Sequence, residues 1–442
     1  MQPSASPRRS ARILVVAIVL AGAAAILGAI AFWPRGEGPD LGVQPNTYVD
    51  ATVERIDSDT CHEPEIDGPG ECQVVTAELT SGPDAGDMIR FEVRATQFEV
   101  PELADGDEIV LLDVATSPPR YRYSFADFQR SSPLLWLVGA FVVVVVAFGR
   151  WQGVRALVGL GASGAVLLAF LVPALLRDEP AVLVALVGTV IIGFIALYLA
   201  HGLNIATTVA LAGTLLSLAL TSGLAVVVTA AANLTGLADG RAQTLRVTAE
   251  ALDLRGLLIA GIVIGALGVL DDVTVSQVSI VSALRRANPG LPSRLLYHEA
   301  TRVGRDHVAS TVNTLVLAYA GASLPLLLFF AQGNQPVGRL VTSEIISVEI
   351  VRMLVGSIGL VASVPITTAL AAVVLGPGDD AHGHDHGWGS GVDAPAGLGD
   401  GDGDDDDTSP GARHVAPSRR RRRKSRNGDR VRDDFAPSEE SW

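Results

Sequence analysis

Residues 265 to 281 read GALGVLDDVTVSQVSIV. The segment has the apolar character of a helix that crosses a bilayer, yet two adjacent carboxylates, Asp271 and Asp272, stand in its middle. A charged side chain at the centre of a lone helix in a bilayer costs about 2.5–3.5 kcal/mol on insertion scales, so each must face protein or water. How this stretch is read decides both the fold class and where a site is sought.

Working outward, the 442 residues are 49% hydrophobic and 18% charged, and the apolar residues are bunched into long runs. Each run approaches the roughly 20 residues that cover a hydrocarbon core. The expected fold is mainly α, a polytopic transmembrane helix bundle of about eight spans. The spans fall at roughly 13–33, 132–149, 154–176, 181–200, 205–232, 256–284, 308–331 and 346–375. The first follows Arg8, Arg9 and Arg12 and contains Ala29-Ile30-Ala31. Its apolar run is longer than a signal-peptide core of about 7–15 residues, which favours an uncleaved anchor over a cleaved leader. Residues 132–376 then form a seven-span membrane domain.

Arginine placement sets the orientation. A cytoplasmic N-terminus (1–12) puts Arg150, Arg155 and the loop 285–307, with Arg285, Arg286, Arg294, Arg302 and Arg305, on the cytoplasmic side. Eight crossings return the C-terminus there. The expected location is a plasma membrane, with the lipid bilayer as the first partner.

Residues 34–131 lie outside the membrane on this reading. Short β-branched or alternating runs, TYVDATVERI, QVVTAELT, DMIRFEVRA, DEIVLLDVAT and PRYRYSF, are separated by turn-rich pieces. They predict a small extracytoplasmic β module, most economically an antiparallel barrel of the OB type. Cys61 and Cys72, the only cysteines, both fall here, and an oxidising exterior favours a disulfide between them. A metal site using Cys61, His62 and Cys72 lacks a recognisable spacing.

After Gly376 the composition changes to Gly, Asp, His and Arg, with nothing to bury, so 377–442 is expected to be a disordered cytoplasmic tail. His382, His384 and His386 form either a merely solvated tract or a loose metal site. The run Arg419 to Lys424 suits anionic lipid head groups or the acidic run before it. The net charge of −14 collects in the outer module and tail and does not imply nucleic acid.

Helical spacing sorts the polar residues inside the spans. Gly261, Gly265, Gly268, Asp272, Ser276 and Ser279 form one stripe of small and polar side chains, so Asp272 is expected to face a close-packed neighbour. Asp271 lies about 100° around, at the edge of that face. The next span brings Asp306, Ser310 and Asn313 to similar depth, which predicts a polar cluster of Asp272, Ser276, Ser310 and Asn313. Arg305 or His307 would stand near its cytoplasmic mouth. The last span carries the stripe Glu349, Arg352, Gly356, Gly359, Ser363 and Thr367, in which Glu349 and Arg352 can pair within a turn. Residues 343–352 could alternatively form a separate interfacial helix, and Pro365 would kink the lower half of the remaining span. The fifth span aligns Thr207, Thr214, Ser217 and Thr221, which either glue helices together or line a path.

Three blocks in order carry a resemblance: DLRGLLIAGIVIGALGVLDDVTVSQ, GRDHVASTVNTLVLAYAGASLPLLL and EIVRMLVGSIGLVASVPITTALAA. Together they resemble the YibE/F family of bacterial multi-pass membrane proteins over about residues 130–376. The resemblance implies that Asp272 falls on the family's aspartate of the sixth span. Gly304, Arg305, Asp306, Asn313, Thr314 and Tyr319 fall on its seventh-span motif, and Glu349 with Arg352 on its paired charges. Asp271 departs from the pattern, which often has an apolar residue there. The resemblance implies a topology and a bacterial plasma membrane rather than an activity.

No nucleophile with an adjacent base, zinc motif or phosphate-binding loop is present, so no enzymatic activity and no cofactor is expected. The expected function is a permease or exporter of a small solute or ion. Asp272 would serve as proton or cation site, Asn313 with nearby hydroxyls as its partners, and Glu349 with Arg352 as an outer gate or structural pair. The alternative is a membrane scaffold or signalling partner whose outer module binds an envelope ligand.

Overall fold

The computed structural model describes residues 7–36, 47–57, 72–94, 102–118, 121–177, 179–238, 244, 252–332 and 336–375. Cys61, the side chain of Cys72, and the tail with His382, His384, His386 and Arg419 to Lys424 lie outside the described residues, so the disulfide and the tail sites do too.

The strands among the described residues form one antiparallel sheet of β1 (Thr47–Asp57), β2 (Cys72–Leu79), β3 (Met88–Arg94), β4 (Glu108–Asp113) and β5 (Tyr123–Phe128), in the order β3-β2-β1-β4-β5. Alternate residues point to one face. Val49, Ala51 and Val53 of β1 meet Val75, Ala77, Phe91, Ile109 and Leu111 in a buried core. The sheet curls until its edge strands β3 and β5 touch. All five expected strands form, but β5 starts at Tyr123, later than the run PRYRYSF. Arg122 clamps this end: its Nε donates to Asp113 at 2.8 Å, and its guanidinium lies 2.8 Å from Asp84. The Tyr123 hydroxyl donates to the same Asp84 at 2.9 Å. Burial, with that hydrogen bond, pushes the Tyr123 phenol up to about 12.

The helices are α1 (Pro7–Ala31), α2 (Ser131–Val166), a π-helical turn (Leu167–Leu171), α3 (Val172–Leu175), α4 (Ala181–His201), α5 (Ile205–Ala231), α6 (Leu254–Ala287), α7 (Ser293–Ala322), α8 (Leu324–Gln332), α9 (Val337–Val341) and α10 (Glu344–Val374). Among the described residues six helical stretches are long and apolar enough to cross a membrane, and the bent pair α7–α8 makes a seventh if it is one span. That pair was expected as one straight segment, but it breaks by 57°. Conversely, the second and third expected spans join in one helical stretch, Ser131–Leu175, interrupted at Arg150, whose φ of 49° and ψ of −132° are not helical. The chain bends there so sharply that a Cβ on Gly153 would overlap the Val145 carbonyl. Residues 343–352 are no separate helix, since α10 runs unbroken through Pro365.

Helix starts follow local chemistry. Asn204 accepts from Thr207 N at 2.8 Å to open α5, and Asp253 accepts from Gly256 N at 2.9 Å to open α6. The apolar core of the membrane part sits where α5, α6 and α10 meet, with α4 against their outer side. At the other end Val209, Val281, Leu296, Ala300 and Ala371 pack together, so the α4–α5 turn, the α6–α7 turn and the end of α10 share one end of the bundle.

Candidate functional site

α5 and α10 run antiparallel and touch through a reciprocal pair of contacts. A Cβ on Gly213 would overlap the hydroxyl of Thr367, and a Cβ on Gly359 would overlap that of Thr221. Glycine is therefore required at both places for the backbones to approach, each receiving a threonine from the other helix. The two contacts lie two turns apart on each helix. Midway between them come Ser217 and Ser363, both fully buried.

The third wall is α6. Thr214 and Thr274 hydroxyls lie 2.7 Å apart across the α5–α6 interface. Gln277, one turn along α6, donates from Nε2 to the carbonyl of Ala300 at 2.9 Å and to the Thr368 hydroxyl at 2.8 Å, joining α6, α7 and α10. The outcome is a buried column of Thr214, Ser217, Thr221, Thr274, Gln277, Ser363, Thr367 and Thr368. Most of these hydroxyls also donate to a carbonyl one turn back on their own helix, as Thr221 does to Ser217 and Thr368 to Val364. Ser217 and Thr367 do not; their buried oxygens have no hydrogen-bond partner among the described residues.

Two of the three stripes read from the sequence lie in this interior: Thr207, Thr214, Ser217 and Thr221 of α5 are buried, as are Gly359, Ser363 and Thr367 of α10. The third does not. Asp272 is exposed together with Gly261, Gly265, Gly268 and Ser279, while Ser276 is half-buried. The expectation that Asp272 faces a packed neighbour is corrected for a physical reason. Val308 and Val312 of α7 pack on Val269 and Val273 of α6, about 60–100° around the helix from Asp272, and Gly304 presses on Gln277. The stripe is left open. Asp306, Ser310 and Asn313 are exposed as well, as are Arg305 and His307, and no hydrogen bond among the described residues joins Asp272, Ser276, Ser310, Asn313 and Asp306 into a cluster.

Asp271 is the more enclosed of the two aspartates, half-buried where Asp272 is exposed. Leu267 and Val275, one turn to either side on the same face, pack against Gly193 of α4 and against Leu197, Leu211 and Ala212 of α4 and α5. The antiparallel register fixed by Thr214 and Thr274 places Asp271 at the depth of Ser217.

Arg352 donates to both carboxylate oxygens of Glu349, at 2.8 and 3.1 Å, with each side chain about one-third exposed. It also lines a small cleft with Gly265, Leu315, Tyr319 and Gly356. The expected pair therefore forms, between α6, α7 and α10. Gln277, Thr274 and Arg285 were not singled out from the sequence, although an amide in an apolar span is itself a signal for an interhelical hydrogen bond. Arg285 is buried at the end of α6 and donates to the Leu291 carbonyl at 2.6 Å and to Ala372 at 3.4 Å.

A family model described as YibE/F-like protein matches residues 137–377. No curated protein and no solved structure matches the chain. The match spans more than half of the 442 residues and takes in every helix of the buried polar column, from α5 to α10, so the chain belongs to the YibE/F-like family.

Proposed function

We propose that this multi-pass membrane protein is a plasma-membrane permease or exporter that moves a small solute or ion, coupled to a proton or cation held near Asp271. The supporting observation is the column at the α5–α6–α10 junction, in which Ser217 and Thr367 are buried without a protein partner. A bundle packed for stability alone satisfies its buried polar groups, because none can turn to water in a bilayer. Orphaned hydroxyls near the depth of a half-buried carboxylate are suited to water, a proton or a cation. Asp271 replaces Asp272 as the coupling group on this reading, since Asp271 shares the depth of Ser217. Counting the bend at Arg150 and the bent α7–α8 pair, the chain makes eight crossings with both termini cytoplasmic and the curled sheet, an OB-type barrel, outside. The exposed large apolar side chains among the described residues of the module are Tyr48, Met88 and Tyr121.

The test is flux into liposomes holding a pH-sensitive dye, under an imposed proton gradient and a panel of cations. Wild type is expected to conduct or exchange, Asp271→Asn to lose the flux and Asp272→Asn to keep it. Flux no greater than in protein-free liposomes across the panel, or equal flux from Asp271→Asn, would overturn the proposal.

A further inference from the structure

The open face of α6 presents Asp272 beside Gly261, Gly265 and Gly268, and next to it α7 presents Arg305, Asp306, Ser310 and Asn313, all exposed. The contact of Gly304 with Gln277 sets the register of these antiparallel helices and brings Arg305 and Asp306 within about a turn of the depth of Asp272. That depth is roughly 18–22 Å from the helix ends joined by the α6–α7 turn, well inside the bundle. No hydrogen bond or ion pair among the described residues engages the side chain of Asp272 or Arg305. Farther along, no residue from Ala309 to Gln332 is buried, and α8 bends away from α7. Among the described residues this face has one close neighbour, the Tyr319 hydroxyl of α7, 3.4 Å from where a Cβ on Gly265 would stand.

An exposed anion, an exposed cation and three exposed glycines on neighbouring helix faces are complementary to the same surface of a second copy. We propose that a second copy of the chain covers this face, forming a two-fold dimer in the membrane. A two-fold axis along the membrane normal sets the same patch against itself, so each contact is made twice. A patch that carries an exposed cation and an exposed anion within about a turn of each other in depth is complementary to its own copy: Arg305 of each protomer meets Asp272 of the other. The glycines add close approach, since a Cβ on Gly261 or Gly268 would meet nothing within 4 Å of the chain itself.

The full-length chain, labelled with a single fluorophore and reconstituted into liposomes at falling density, is counted by photobleaching steps. Wild type is expected to be dimeric. Asp272→Arg and Arg305→Asp should each raise the dissociation constant by roughly tenfold or more, and the double exchange should restore it. Gly268→Cys should cross-link to twice the chain mass in unpurified membranes, well above the wild-type background of the native cysteines. Leu220→Cys, on an exposed part of α5, should not. Wild type that stays monomeric at every density, single variants as dimeric as wild type, or a double exchange as weak as the singles would overturn the proposal. If the charge variants do not fold, the cross-linking decides: equal yields from positions 268 and 220 overturn it. Occupation of the face by an anionic lipid, seen as monomers with Asp272→Arg binding more such lipid than wild type, overturns it too.

Discussion

The reciprocal crossing of α5 and α10 makes a prediction whose size can be worked from its geometry. In Gly359→Ala the new methyl carbon overlaps the Thr221 hydroxyl and stands 3.2 Å from Thr221 Cβ. Thr221 is fully buried, stiff at χ1 because it is β-branched, and tied to the Ser217 carbonyl at 2.8 Å, so it has no free rotamer to yield into. Either the helices part or the hydroxyl gives up its bond. Overpacking of this kind costs about 1–3 kcal/mol, and a lost hydrogen bond inside a membrane protein adds about 0.6 kcal/mol, which gives about 2–3 kcal/mol for the single change. Thr221→Ala alone removes two small groups and should cost about 1 kcal/mol. In the double variant the overlapping oxygen is gone, and the remaining 3.2 Å contact asks only for a shift of a few tenths of an ångström. The pair should therefore be about as stable as Thr221→Ala, with a coupling of about 2 kcal/mol. Equilibrium unfolding of the full chain in mixed micelles, titrated with a denaturing detergent, reads all corners of the cycle. Additivity to within about 0.5 kcal/mol would refute the crossing as described.

Two other expectations rest on single residues. Arg285→Ala should lower stability by about 2–3 kcal/mol in the same assay and speed proteolysis in the turn 288–292, because a buried guanidinium spans the Leu291 and Ala372 carbonyls; Arg285→Lys should rescue little, lacking the fork that reaches both. In the sheet, the fold favours the neutral Tyr123 phenol. Its contribution should be intact below the ordinary tyrosine value of 10.0 and lost as pH rises through about 12, followed by phenolate absorbance and abolished in Tyr123→Phe.

Much of the architecture was legible because its signals are local. Apolar runs near the length of a bilayer core placed the helices, period-two alternation placed five strands, and Asn204 and Asp253 mark helix starts. The Glu349–Arg352 pair was legible because it lies within one turn. What did not show was long-range: that Gln277 reaches Ala300 and Thr368 depends on which helices become neighbours. The break between α7 and α8 was equally hidden, for Ser323 and Pro325 in an apolar run are compatible with either a straight or a bent span.

The misplacement of Asp272 shows where spacing arguments stop in a membrane. In water an apolar stripe must be covered, so the stripe names the packed face. In lipid the tails are as apolar as a neighbouring helix, and a row of small residues says only that something approaches closely. Three stripes were read by the same rule, and what separates them is complementarity between two helices. Gly213 and Thr221 on α5 have the inverse spacing of Gly359 and Thr367 on α10, so that in antiparallel register each glycine meets a threonine. The α6 stripe of Gly261, Gly265, Gly268 and Asp272 finds no glycine–threonine counterpart and meets only the Tyr319 hydroxyl at Gly265, because α7 sets its close-approach residue, Gly304, against Gln277 instead. A stripe matched inside the chain becomes the interior of the bundle. One left largely unmatched, and carrying a charge, points to a counterpart outside the chain, which separates the half-buried Asp271 from its exposed neighbour Asp272.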